Sequence, residues 1–138
     1  MIEAEHEREP QPGVRDLGRL IDRAREAGLD ATLTIQAAPR ELPTGVDLSA
    51  YRIVQEALTN VIRHADAERA NVRLRYDPDS LHVTITDDGV GPTAQNGSAS
   101  GHGLVGMRER VVLFGGRLDT GAAEDGHGFR VYAFMPTG

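Results

Sequence analysis

The 138-residue sequence contains no cysteine, and this absence removes several kinds of chemistry. Disulfide bonds, thiolate catalysis, and zinc or iron–sulfur sites built on cysteine are all excluded. No apolar run approaches the roughly 20 residues that a membrane-spanning helix needs. The first residues are charged, unlike those of a secretory signal peptide. We therefore expect a soluble cytoplasmic domain, whose parent protein could still be anchored in a membrane.

Basic residues are scarce relative to acidic ones. Fifteen Lys and Arg stand against 21 Asp and Glu, which gives a formal net charge of −6. Nucleic-acid-binding domains usually carry a basic patch, so the sequence predicts no nucleic-acid partner. Glycine is abundant instead, with 16 residues. Such an excess is typical of loops that need unusual backbone angles or that approach a ligand closely.

The chain divides into a short tail and one domain. Residues 1–13 are rich in glutamate and close with Pro10, Pro12 and Gly13, a composition typical of a disordered tail or linker. Residues 14–138 are long enough to bury the core of one domain without disulfides or metals. We therefore place a single domain over residues 14–138.

Hydrophobic periodicity predicts the elements of this domain. Apolar residues recur at helical spacing in three segments: 14–27, from a cap at Asp47 or Ser49 to about Ala65, and 104–114. Strands are predicted in five segments: 31–36, 72–76, 81–85, 117–120 and 129–136. Residues 77–80 form a predicted hairpin turn. Clustered strands and few helices indicate an α/β (α+β) two-layer sandwich, with a mixed sheet on one side and helices on the other.

One group of polar residues lies on the second predicted helix. Glu56, Asn60 and His64 recur every four residues, so an α-helix would present them as one stripe. Their oxygen and nitrogen atoms could hold Mg²⁺ and contact phosphates, because hard cations prefer oxygen ligands. Any surface helix also needs a polar face. Taken alone, the stripe is better explained as the ordinary polar face of a surface helix than as a binding site.

A second group follows a predicted strand directly, in the order Asp87-Asp88-Gly89-Val90-Gly91. A carboxylate at a strand end can accept a hydrogen bond from an adenine amino group. The neighbouring glycines would let the backbone approach a flat ring closely. A simple turn uses the same residue types, so both interpretations stay open at this point.

A third group, Gly101-His102-Gly103-Leu104-Val105-Gly106, leads into the third predicted helix. The free N–H groups and positive dipole end of a helix N-terminus bind phosphate well. The glycine spacing is not that of a P-loop, since no Gly-Lys-Ser/Thr follows. It is not a dinucleotide-binding fingerprint either, because no βαβ unit surrounds it.

In this order and at these separations, the three groups resemble the N box and the two glycine boxes of the GHKL (Bergerat) ATPase superfamily. The segments 51–60 and 101–110 are similar, nearly letter for letter, to sensor histidine kinases that pair with LuxR-type response regulators. The resemblance covers roughly residues 48–136. It implies the Bergerat ATP-binding fold, with a mixed, mostly antiparallel sheet and about three helices on one face.

The resemblance also implies a role for each matching residue. Asn60 would bind Mg²⁺ beside the ATP phosphates, and Glu56 would be the catalytic residue that polarises or deprotonates the attacking group. Asp87 would accept a hydrogen bond from the adenine amino group. Residues 92–102 would form a mobile lid. The other nucleotide-binding positions would be Arg63, His64, Gly89, Gly91, Gly101, His102, Gly103, Leu104, Val105 and Gly106.

The implied function is phosphoryl transfer in a two-component system. The domain would bind Mg·ATP or ADP and donate the γ-phosphate to a histidine on a separate dimerisation domain, with a LuxR-type response regulator as indirect partner. His6, His82 and His127 do not lie in a segment like the family's acceptor site. Because the sequence has neither the acceptor stretch nor the dimerising helices of that family, we expect a monomeric fragment that is weak or inactive alone. A standalone anti-sigma-type serine kinase of the same superfamily and a degenerate nucleotide-binding module remain alternatives.

Overall fold

A five-stranded sheet with helices on one face forms the described part of the chain, residues 11–89, 98–123 and 128–138 of a computed structural model. Within these ranges, no helix combines the length and hydropathy needed to cross a bilayer. After a 3-10 turn at Val14–Asp16, the helices are α1 (Leu17–Glu26), α2 (Thr44–Asn60), which continues as a π-helical turn at Val61–Ala65, and α3 (Ser98–Leu113). The strands are β1 (Asp30–Gln36), β2 (Arg69–Asp77), β3 (Ser80–Asp87), β4 (Arg117–Ala122) and β5 (Phe129–Pro136).

The strand order β1-β2-β3-β5-β4 confirms the predicted mixed, mostly antiparallel sheet. Only β1 and β2 are parallel among the described pairs, because the α2 crossover returns the chain to the same end of the sheet. Strands β2 and β3 form the predicted hairpin, in which Asp77 pairs with Ser80 across a two-residue turn. The chain is therefore a two-layer sandwich, as the sequence indicated.

One hydrophobic core lies between the sheet and the helices. Alternate strand residues point into it, including Val72, Leu74, Val83 and Ile85, each no more than 2% exposed. Ile53 of α2 is fully buried against them. Period-2 alternation in the strands and period-3.6 spacing in the helices thus fill the same layer. The alternation leaves the other face of the sheet to polar residues.

The start of α2 differs from the prediction. Asp47 or Ser49 was expected to cap this helix, but it begins at Thr44, after Pro43, with no side-chain hydrogen bond at its cap. Asp47 lies within the first turn, and its Oδ1 accepts the N–H of Val14 at 2.8 Å. The carboxylate therefore joins the start of the domain to α2. The two segments are far apart in sequence, so local capping patterns could not reveal this contact.

Helix α3 begins six residues earlier than predicted, at Ser98 instead of Leu104. Ser98 to Gly101 include no proline, so no residue there blocks the helix, although serine and glycine have low helix propensity and gave no sequence signal for it. The first four N–H groups of a helix lack intrahelical partners, and here they belong to residues 98–101. Gly103 lies inside the helix. The prediction that these glycines precede the helix is therefore wrong.

The end of α3 fixes the position of this helix on the sheet. Gly115 adopts a positive φ of 84°, and the Gly116 N–H donates to the Val111 carbonyl at 3.0 Å. A Cβ at Gly116 would collide with the carbonyl oxygen of Phe134 in β5. The Arg108 Nε also donates to the Leu118 carbonyl of β4 at 2.9 Å. Helix and sheet edge are therefore held in one orientation.

Candidate functional site

Glu56 and Asn60 lie one helical turn apart on α2, and both are half-buried. Helix α3 packs against α2 beside them. A Cβ at Gly103 would collide with the carboxyl group of Glu56, so the α3 backbone directly contacts the Glu56 side chain. The structure thus brings together Glu56 and Gly103, which the sequence separates by more than 40 residues.

The π-helical turn at Val61–Ala65 changes the predicted polar stripe. The prediction placed the end of this helix correctly, at about Ala65, but assumed α-helical geometry up to that residue. A π turn pairs residue i with i+5, so residue 64 does not continue the Glu56–Asn60 row in α-helical register. Arg63 is exposed on this turn, and Asp66 ends it in the left-handed region with φ 52° and ψ 39°. Single π turns often occur at functional sites.

Asp87 is the last residue of β3, and it is 7% exposed. Its Oδ1 accepts the Gly89 N–H at 2.8 Å. Burial raises the pKa of Asp87 above its ordinary value, against the opposing effect of backbone N–H groups at Gly89 and Phe129, and the nearby charge of Asp88 raises it further. The result is a buried carboxyl group with a fixed orientation on the helical side of the sheet. Such a group can recognise a hydrogen-bond donor on a ligand.

The adjacent Asp88 has a different environment and a structural role. Its Oδ1 accepts the N–H groups of Glu68 and Arg69, each at 2.9 Å. These hydrogen bonds, first that of Arg69, lower the pKa of Asp88. Its own N–H donates to the Arg69 carbonyl at 3.2 Å. Asp88 therefore ties the start of β2 to the end of β3 and fixes the segment that presents Asp87.

Gly128, which the sequence did not single out, also shapes the region around Asp87. It has a φ of 88°, and a Cβ there would collide with the Asp87 carbonyl oxygen. The start of β5 can cross the end of β3 only because residue 128 has no side chain. Its place in a glycine-rich turn directly before a strand was the only sequence signal for this role.

The other predicted nucleotide-binding residues occupy varied environments. Leu104 is buried in the core, whereas Val105 is half-exposed and Gly106 is exposed. Gly101 lies in the first turn of α3, and Gly89 follows β3. Outside the described residues or side chains lie Gly91, residues 92–97 of the predicted lid, the tail at residues 1–10, His127, and the side chains of His64 and His102.

The oxygen atoms of Glu56 and Asn60 suit a magnesium ion that is shared with a bound nucleotide better than a metal ion held by protein side chains alone. In the described part of the chain, no three His, Asp or Glu side chains converge to hold a metal. Mg²⁺ typically takes one or two protein oxygens and completes its shell with water and substrate phosphates. A carboxylate and an amide oxygen one helical turn apart match that requirement in chemistry.

Comparison with known proteins shows which protein family this sequence matches. The family model for histidine kinase-, DNA gyrase B- and HSP90-like ATPases matches residues 45–138. Sensor histidine kinase YxjM of Bacillus subtilis (strain 168) is 40% identical over 131 residues, which cover 93% of this chain and 31% of that protein. Sensor protein VraS of Staphylococcus epidermidis is 32% identical over 103 residues, covering 75% of this chain and 28% of that protein. The chain thus matches about a third of each relative.

Solved structures agree with the fold. The histidine kinase domain of a blue-light activated kinase from Erythrobacter litoralis aligns with a TM-score of 0.65 and 26% identity, over 88% of this chain and 59% of that one. The catalytic domain of histidine kinase ThkA aligns with a TM-score of 0.67 over 91% of this chain and 94% of that one. At 13% identity, the second match shows similarity of fold alone.

Proposed function

Because the chain belongs to the histidine kinase-, DNA gyrase B- and HSP90-like ATPase family, we propose that it is the ATP-binding catalytic domain of a two-component sensor histidine kinase. It binds Mg·ATP and donates the γ-phosphate to a histidine on the dimerisation domain of its parent. A LuxR-type response regulator receives the phosphate afterwards. The observation that carries this proposal is the contact between Glu56 and the Gly103 backbone, which joins the two matching motifs.

Asp87, Asn60 and Glu56 each have one role in the proposed reaction. The Asp87 carboxylate accepts a hydrogen bond from the adenine amino group and so orients the base. Asn60 supplies an oxygen to Mg²⁺, which neutralises charge on the phosphates when it is bound. Glu56 accepts a hydrogen bond or proton from the attacking imidazole as its nitrogen bonds to phosphorus and the bond to the ADP oxygen breaks. Such transfer needs mainly positioning and charge neutralisation.

Several further properties follow from the proposed role. The acceptor histidine belongs to another domain, so we propose that this chain is monomeric and slow on its own. We place it in the cytoplasm, where ATP is available. The net charge of −6 opposes binding to nucleic acid. The N–H groups of residues 98–101 and the side chains of Arg63 and His64 would act on the phosphates.

Asn60→Ala should remove most of the Mg²⁺ dependence of ATP binding. Without the amide oxygen, the ion loses a protein ligand but keeps the nucleotide, so the affinity gained on adding Mg²⁺ should fall about tenfold. Isothermal titration with ATP, with and without Mg²⁺, measures this. Thr59→Ala, on the same helix, should behave like the wild type. An undiminished Mg²⁺ effect in Asn60→Ala would remove Asn60 from the site.

The identity of the phosphorylated residue separates the proposed function from its closest alternative. With labelled ATP and the dimerisation domain of the parent kinase, the phosphoprotein should be acid-labile, because phosphohistidine hydrolyses in acid. Acid-stable phosphoprotein would support a serine kinase of the anti-sigma type. No nucleotide binding at all would support a degenerate module.

A further inference from the structure

Phe129 is the first residue of β5, and the strand register places it beside Asp87. Thr86 of β3 lies opposite Arg130 of β5. Because the two strands are antiparallel, the next residue of β3, Asp87, lies opposite the preceding residue of β5, Phe129. The two backbones meet closely here, since the Phe129 N–H donates to the Asp87 carboxyl group and a Cβ at Gly128 would collide with the Asp87 carbonyl oxygen.

The side chains of Phe129 and Asp87 point to the same side of the sheet. Successive side chains of a strand point to opposite faces. Phe129 is two residues before Val131, and Asp87 is two residues after Ile85. Val131 and Ile85 are both buried in the core between the sheet and the helices. The aromatic ring and the carboxyl group therefore lie next to each other on the helical side.

The Phe129 ring packs against the hydrophobic core but is only partly buried. Its partner across the β4–β5 pair is Ala122, which is exposed and has a small side chain. Thr120, two residues earlier on the same side of β4, is exposed as well, whereas Leu118 is buried. The helical side of the sheet is therefore open beside Phe129.

A carboxyl group beside an aromatic ring suits a flat heterocycle that carries an amino group. Backbone N–H groups of Gly89 and Phe129 use part of the Asp87 carboxyl group, but an ionised carboxylate has about four acceptor positions. It can therefore accept a further hydrogen bond from a ligand. Binding sites usually combine a few polar groups with apolar walls, and an aromatic ring packs well against the face or the edge of another ring.

We propose that Phe129 forms an apolar wall of the nucleotide site and packs against the adenine base whose amino group Asp87 accepts. This inference rests on the proposed function, because it assigns another residue to the same site. Asp87 selects the amino group at the edge of the base. Phe129 contributes affinity through the aromatic surface of the base and limits its tilt relative to the sheet.

Phe129→Leu should weaken ADP binding about tenfold in the presence of Mg²⁺. Leucine keeps an apolar side chain against the core but removes the aromatic surface. The control is Phe134→Leu, the same change on the opposite face of β5, where the Phe134 ring lies 5.3 Å from the His82 ring between centroids. It should change ADP affinity less than about twofold. Isothermal titration of the full 138-residue chain measures both.

A tryptophan reporter gives a second readout, which a purely structural role of Phe129 would not produce. The chain has no tryptophan, so the indole of Phe129→Trp would be its only one. Packing of adenine against the indole should change its fluorescence saturably as ADP is added. Phe134→Trp, on the other face of the sheet, should show no change over the same range of ADP concentration.

The outcomes separate this inference from the proposed function. If the wild type binds ADP, either an unchanged affinity in Phe129→Leu or an equal loss in both leucine variants would overturn the role of Phe129 alone. Constant fluorescence in Phe129→Trp while titration shows that ADP binds would do the same. Absence of ADP binding by the wild type would instead overturn the proposed function, and this inference with it.

Discussion

Asp87→Asn should lower the affinity for ATP about 100-fold, the loss expected when a charged hydrogen bond is replaced by a mismatched one. The amide keeps the size of the carboxyl group and can still accept the Gly89 N–H, which lies 2.8 Å from Oδ1. Its NH₂ group would meet the adenine amino group donor to donor. Isothermal titration with ATP and Mg²⁺ measures the change, and GTP distinguishes loss of base recognition from loss of phosphate binding.

Asp88→Asn is the matched control for this substitution. It makes the same change one residue later, in a side chain that accepts backbone N–H groups of Glu68 and Arg69 instead of facing the helical side. ATP affinity should stay within about threefold of the wild type, since both N–H groups donate to the same oxygen, Oδ1, and an amide oxygen at that position can still accept both. Similar ATP affinities for wild type and Asp87→Asn would show that Asp87 does not bind adenine.

The same Asp87 variant should be more stable than the wild type at neutral pH. Burial raises the pKa of Asp87 in the folded protein, so ionisation is less favourable there than in the unfolded chain. The contribution of this carboxyl group to stability is therefore fully present below its unfolded pKa and lost as pH rises through its folded pKa. Thermal melting should show Asp87→Asn above the wild type at pH 7, with the gap closing in acid. The charged carboxylate that is proposed to bind adenine therefore lowers the stability of the folded protein at neutral pH.

Gly103→Ala should slow phosphoryl transfer about 100-fold, the lower end of the effect of losing a positioned acid–base group. The added methyl group would occupy the place of the Glu56 carboxyl group and displace it from the α2–α3 contact. Glu56 has a flexible side chain, so the chain should remain folded. Single-turnover transfer to the dimerisation domain of the parent kinase measures the rate.

Two comparisons isolate the collision from a general effect of alanine in a helix. Gly18→Ala, on α1, adds a methyl group with no atom within 4 Å and should leave the transfer rate unchanged. In a Glu56→Ala background, Gly103→Ala should have little further effect, because the displaced group is already absent. Additive rate losses in the double variant would mean that Gly103 acts independently of Glu56.

Local patterns in the sequence determined much of the fold. Alternating residues such as Val72 and Leu74 identified the strands, and the Asp77–Ser80 turn joined two of them as expected. Both features depend on side chains within a few residues of one another, so no distant contact is needed to predict them. The α3 start was missed because small residues before Leu104 show no periodicity, although they can continue a helix.

The order of the three motifs by itself identified the family, and the matching ATPase family model confirms it. Only the tertiary structure decided that Gly103 contacts Glu56 and that Gly128 lets β5 cross the end of β3 at Asp87. It also decided that Asp88 joins β2 to β3 through hydrogen bonds, whereas Asp87 beside it is buried. Periodicity and capping act within a few residues along the chain. Close backbone contacts depend on segments that only the folded sheet brings together.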